Sequence, residues 1–174
     1  AWYQRVLFRD GSYVKVYAYT NALNRNILSV EQVKNLILEE TASSDVDPIV
    51  RLYQAAFNRC PDQAGEMYWV QNSRQNNLTL NDIASSFANS KEFVDHYGVN
   101  ASSPINAATL TAFYNNVLQR SPDTAGFSFW LNSGLSVGQV LQYFSESTEF
   151  KGQVKSALGN FHYDQINNTL PANL

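Results

Sequence analysis

The sequence is short of charge. Lys, Arg, Asp and Glu make up 16% of its 174 residues, against about 25% in ordinary globular chains. The formal net charge is −3, and no run of Lys and Arg occurs. Nucleic-acid modules carry a basic face, so that class of partner is excluded, as is binding to an anionic membrane surface. No apolar stretch approaches the roughly 20 residues that cross a bilayer, so no membrane span is expected. Cys60 is the only cysteine, which rules out an internal disulfide. Histidine occurs twice, at His96 and His162, and neither has a partner at metal-ligand spacing. Nothing matches His-Glu-x-x-His, Gly-x-Ser-x-Gly, a phosphate loop or a dinucleotide fingerprint, and no enzyme is expected. A glycosidase needs two carboxylates across a cleft; Glu66 with Asp95 is a pair the sequence alone does not exclude.

What fills the chain instead is apolar, aromatic and amide. Hydrophobic residues account for 44% and aromatic residues for 13%, while asparagine alone occurs 19 times. Such a chain can bury a core without disulfides or metals. A surface poor in charge and rich in Asn, Ser and Tyr points to an extracellular rather than a cytosolic setting. The Asn-x-Ser/Thr triplets at Asn77, Asn100 and Asn167 are no more than this abundance produces by chance. The chain opens at Ala1 inside a helical pattern, with no signal peptide in view, and reads as a mature or excised piece of a longer protein.

One stretch recurs. Tyr53, Arg59, Pro61, Asp62, Gly65 and Trp69 keep their spacing in Tyr114, Arg120, Pro122, Asp123, Gly126 and Trp130. A worn copy runs from Tyr3 through Arg9 to Tyr19, with Asp10-Gly11 read in place of Pro-Asp. Repeats divide the chain into 1–45, 46–103 and 104–160, followed by a C-terminal extension over 161–174. Ile49, Leu52, Tyr53, Ala56 and Phe57 fall at i, i+3, i+4, i+7 and i+8, and so do Leu110, Phe113, Tyr114, Val117 and Leu118; each set is the stripe of an amphipathic helix. Pro61 and Pro122 end that first helix, and Asp62 and Asp123 cap the second. The second helix is assigned an apolar side of Ala64, Met67 and Tyr68, or Ala125, Phe129, Trp130 and Leu131. Gly65 and Gly126 read as points where helices cross. Thr79 with Asp82 makes a capping box for a third helix, whose stripe is Leu80, Ile83 and Phe87, or Val137, Val140, Leu141 and Phe144. A short fourth helix opens at Ser90 or Ser147 and closes near Gly98 or Gly159. Asp47 and Pro48 read as the N-cap and first helical residue of the first helix of repeat two. The fold class is therefore all-α: tandem helical repeats packed into one compact domain.

These motifs resemble a bacterial family, the domain of unknown function 4214, whose pattern runs Tyr-x5-Arg-x-Pro-Asp-x-x-Gly-x-x-x-Trp and closes on Ser-x-Glu-Phe. Glu92 and Glu149 stand at that closing position, and Ala42 replaces them in the first copy. The resemblance covers roughly residues 47–150; the chain is also distantly similar to phycobilisome linker domains. It implies an all-helical domain of large secreted or surface-layer proteins, often beside calcium-binding repeats. It implies other protein chains of an extracellular assembly, or cell-surface polysaccharide, as partners.

The residues give each candidate two readings. Arg59 with Glu92 and Arg120 with Glu149 are structural ties, or else a ligand site. Asp62 and Asp123 are helix caps, or else calcium ligands; calcium takes 6–8 oxygens, and no run of acids surrounds them. No cofactor is expected from the residues, and calcium is allowed by the resemblance alone. Trp69 and Trp130 pack in the core. Trp2, Tyr13, Tyr17 and Tyr163 are candidates for stacking on sugar rings. The expected function is a non-enzymatic structural or assembly module of an extracellular layer or filament, and the alternative is a glycan-binding module that anchors its parent to polysaccharide.

Overall fold

A computed structural model describes residues 1–168; the rest of the expected extension, 169–174, lies outside the described residues. Among those residues the chain forms eleven α-helices and one 3-10 turn. The only β pairing among the described residues is an isolated bridge between Pro104 and Ser136.

Repeat one contains α1 (Trp2–Leu7), α2 (Tyr13–Asn24) and α3 (Val30–Glu39), closed by the 3-10 turn Glu40–Ser43. Repeat two contains α4 (Val46–Phe57), α5 (Gln63–Asn76), α6 (Leu80–Ala88) and α7 (Lys91–Tyr97). Repeat three contains α8 (Ala107–Asn116), α9 (Thr124–Leu131), α10 (Val137–Ser145) and α11 (Thr148–Ile166).

Small polar side chains start the helices by accepting the free N–H groups of the first turn. Asp62 and Asp123 cap α5 and α9, and Ser90 and Ser147 cap α7 and α11. Ser29–Gln32, Thr79–Asp82 and Ser136–Gln139 form complete capping boxes for the third helix of each repeat. Two expectations are corrected. α4 begins at Val46, and Asp47 lies buried inside its first turn instead of capping it. The helix opened by Ser147 does not close near Gly159; it continues to Ile166. A glycine costs a helix only about 1 kcal/mol, and burial of Phe161, His162, Gln165 and Ile166 beyond it carries the helix through.

Repeats two and three share one core. α10 lies against α6 and α4, and the stripes Ile83, Phe87, Val140, Leu141 and Phe144 are almost wholly buried. Repeat one has a separate small core of Tyr3, Val6, Leu7, Val33 and Ile37, completed by Ile166 from the far end of α11. The joint between the two cores is polar. Arg74 holds the Leu7 and Phe8 carbonyls at the end of α1, each from 2.7–2.8 Å, while gripping both oxygens of Asp45. Arg5 donates to the Ile166 carbonyl.

Candidate functional site

The repeated motif forms a clamp in repeats two and three. α4 ends at Asn58, whose left-handed backbone (φ 54°) reverses the chain, and Gln119 does the same after α8 (φ 55°). The turn brings the arginine back over its own tyrosine ring, 5.6 Å for Arg59–Tyr53 and 5.0 Å for Arg120–Tyr114. Arg59 then reaches Glu92 at 3.2 Å. Arg120 is held more fully: Glu149 takes it with both oxygens, Asp123 accepts at 3.1 Å, and so does the Ser121 carbonyl. The N–H of Gly65 or Gly126 donates to the capping aspartate, and the Gly126 bond, with Arg120, holds Asp123 below the usual carboxylate range.

Gly65 and Gly126 are not helix crossings. A Cβ at Gly65 would lie 2.8 Å from the Tyr53 hydroxyl, and one at Gly126 would lie 2.6 Å from that of Tyr114. The glycines make room for a tyrosine hydroxyl beneath the second helix. The close approach of a helix to other backbone occurs at Gly138 instead, where a Cβ would sit 3.3 Å from the Ala101 carbonyl oxygen. Burial pushes the Tyr53 phenol up to about 12 and raises that of Tyr114. Trp69 and Trp130 stand half-buried over Phe87 and Phe144, at 5.3 and 5.5 Å.

Repeat one builds its clamp from other parts. Ser12, not Gly11, caps α2 and so corresponds to Asp62. Lys15 occupies the clamp glycine's place. The carboxylate is Glu40, not a residue at Ala42: it accepts from the Tyr3 hydroxyl at 2.5 Å and pairs with Lys15 at 3.1 Å and Arg9 at 4.0 Å. Gly11 clears the Tyr3 ring, which a Cβ there would meet at 2.4 Å. The 3-10 turn shifts the carboxylate by two positions, which hides it from alignment.

A second cluster escaped sequence reading. His162 Nε2 lies 2.6 Å from Asp47 Oδ1, its Nδ1 lies 2.9 Å from Gln165 Oε1, and Gln165 donates to Glu66 Oε2 at 2.6 Å. All four residues are buried, Glu66 completely. Burial pushes the Glu66 carboxyl up to about 8. Burial would lower the His162 imidazole, but the bond and charge of Asp47, with the Gln165 bond, hold it above its ordinary value. Burial also raises the Cys60 thiol to about 11, assisted by Glu66, so the thiol stays protonated and a poor nucleophile. Glu66 and Asp95 do not form a pair across a cleft: Glu66 is inside the core, and Asp95 is exposed beside Lys91.

The four sugar-stacking candidates are scattered. Tyr13 and Tyr17 stack on each other along exposed α2, with ring centroids 6.3 Å apart. Trp2 lines a hollow of about 290 Å³ against Val16, Thr20 and Leu23, and Lys34 lies over its ring. Tyr163 is exposed on α11 and interacts with Glu31. Met67, Tyr68, Phe129 and Leu131, assigned to the apolar side of the second helices, are exposed instead. Each second helix lies on the outside and turns only a narrow line inward, and α2 and α9 bury no residue.

Between repeats two and three the ends of α4, α7 and α8 leave a cleft of about 760 Å³, lined by Ala55, Ala56, Phe57 and a ring of polar side chains. Among the described residues no three His, Cys, Asp or Glu side chains are grouped to hold a metal ion. No helix there is long and apolar enough to cross a membrane.

The model of one family, described as a domain of unknown function (DUF4214), matches residues 38–97 and again 84–154. The chain belongs to the DUF4214 family. The two DUF4214 matches overlap over 84–97, so the end of α6 and all of α7 are read both as the close of one copy and as the opening of the next. That double reading agrees with the shared core of repeats two and three. No curated protein and no solved structure matches the chain.

Proposed function

We propose that the chain is a non-enzymatic assembly module of an extracellular layer or filament, and that it associates with further copies of itself through the outer helices. The observation that carries this reading is a repeated exposed step. Tyr68 and Phe129 precede their tryptophans at the same repeat position, are 59% and 67% exposed, and each meets its tryptophan edge-on at 5.1 Å. Aromatic rings braced in this way offer large contact area at little cost in side-chain entropy. The clamp residues are engaged within their own repeats, so the outer faces are what the molecule presents to neighbours. The low charge and abundant asparagine support an extracellular setting.

Sedimentation across protein concentration tests the reading. Association that grows with concentration, and recedes in a Tyr68→Ser/Phe129→Ser chain of unchanged helix content, is expected. A chain that stays monomeric at millimolar concentration overturns it. Anchoring to cell-surface polysaccharide is the second reading, favoured by the polar cleft between repeats two and three.

A further inference from the structure

We propose that the cleft between α4, α7 and α8 is a binding site for an uncharged saccharide, with the side-chain amides of Asn58, Asn115 and Gln119 reading its hydroxyls. The inference gives the polysaccharide reading a location and is independent of self-association.

The cleft exists because of two small residues. Ala55 and Ala56 stand where repeat three has Asn116 and Val117, so a hollow opens over α4 where α7 and α8 approach it. Its volume of about 760 Å³ lies within the roughly 300–1,000 Å³ of small-molecule sites. The floor is apolar, formed by the two alanines, Phe57 and the half-buried Tyr97, and suits the C–H face of a sugar ring. The rim is amide. Asn58, Asn115 and Gln119 are exposed, and their side chains make no hydrogen bond among the described residues. A carboxamide offers two donors and an acceptor in one plane, which matches neighbouring hydroxyls that each donate and accept. Asn58 and Gln119 are equivalent residues, both fixed by left-handed backbone, so the rim is held by two rigid turns.

The charges in and around the cleft are already matched. Glu92 is paired with Arg59, and Asp95 with Lys91. Among the described residues no Lys or Arg lines the cleft to take a phosphate or sulfate, its one histidine, His96, meets the Asn116 amide, and each carboxylate has a cation beside it. Asn58 and Gln119 also line a smaller cavity of about 260 Å³ on their far side, where Gln54 is 8% exposed. Gln54 Oε1 is buried and meets no donor.

The test is a titration of the ¹⁵N-labelled chain with maltotriose and with chitotriose, reading the side-chain amide resonances of Asn58, Asn115 and Gln119. Saturable shifts of these resonances with either sugar are expected. Asn115→Ala/Gln119→Ala should weaken binding by about tenfold, the loss of two hydrogen bonds. Ala56→Leu, which fills the floor, should abolish binding while the remaining backbone spectrum keeps its pattern. Three outcomes overturn the site: no shift with either sugar at millimolar concentration, shifts centred on Tyr13 and Tyr17, or a lysine-rich peptide shifting these amides when neither sugar does. Co-sedimentation with insoluble cell-wall polysaccharide separates the site from the anchoring reading. Sugar binding at the amides without co-sedimentation keeps the site and sinks the anchor. Co-sedimentation undiminished in the double variant keeps the anchor and sinks the site.

Discussion

Repeats two and three hold tyrosine, arginine and glutamate in one arrangement, and repeat one holds the same residue types in another. In the two inner repeats a glycine at the third position of the second helix lets the tyrosine hydroxyl lie beneath it. Repeat one has Lys15 there, and Tyr3 turns its hydroxyl to Glu40 while Gly11 clears space for the ring. The comparison teaches that what must be matched is a tyrosine ring and a gap of its size, wherever along the turn that gap is opened. It also separates two kinds of support. Repeats two and three share a large core, whereas repeat one has a handful of buried side chains and borrows Ile166 from α11.

The strongest way to break the comparison is to release α11. Asp47→Ala removes the partner of buried His162 on the helix that also carries Ile166. Losing one member of a buried pair costs about 3–5 kcal/mol. Urea unfolding should show that loss, with hydrogen exchange in α1 and α3 rising first; an unmoved midpoint would make the cluster incidental. Next in size is the glycine clamp. Gly126→Ala should cost about 1–3 kcal/mol by overpacking, and Tyr114→Phe in the same chain should restore part of it by removing the hydroxyl, the remaining crowding coming from the Asp123 carboxylate. In repeat one, Lys15→Ala should cost far less, and equal costs would erase the distinction between the two clamps.

Acidity gives a third test. Glu66 and His162 both bind protons more tightly in the folded chain than in the unfolded one. Glu66 therefore contributes most at low pH, and its contribution is lost as pH rises from its ordinary value near 4.5 to about 8. His162 acts in the same direction, its contribution fading as pH climbs through its raised value. Stability should fall over this window by about 1 kcal/mol per pH unit. Glu66→Gln, which copies the protonated shape, should flatten the profile; parallel profiles in thermal melts would refute the assignment. The smallest effect is at the surface. Arg59→Ala should cost up to about 1 kcal/mol, since its ion pair is half exposed and its ring contact is modest. Arg9→Ala should cost less still, because Glu40 keeps Tyr3 and Lys15.

The two family copies, the helix starts other than that of α4, and the core stripes of the first and third helices were legible because each is a local signal: a capping side chain, a proline, apolar residues at helical spacing. The polar cluster was not. Asp47 and His162 are 115 positions apart and Glu66 and Gln165 are 99 apart, and each alone resembles a surface residue. The equivalents of Glu66 are Val16 and Phe127, and a carboxyl at a position otherwise apolar was the one available hint. The outer helices misled in the opposite direction, since Tyr68 and Phe129 carry the right residue type for a core they do not enter. Amide rings around a cleft leave no spacing to detect, because α4 and α8 meet only in the folded chain.

The joint between repeat one and the rest has a mechanical consequence. Its pins are Arg74 on the Leu7 and Phe8 carbonyls, Arg5 on the Ile166 carbonyl and Lys34 on the Asn167 amide, set around two apolar links, Ile166 in the small core and Phe8 against the large one. Tension along the chain would part this seam before it opened the interlocked α6 and α10. The molecule would then lengthen by one repeat's worth of chain while repeats two and three stayed folded.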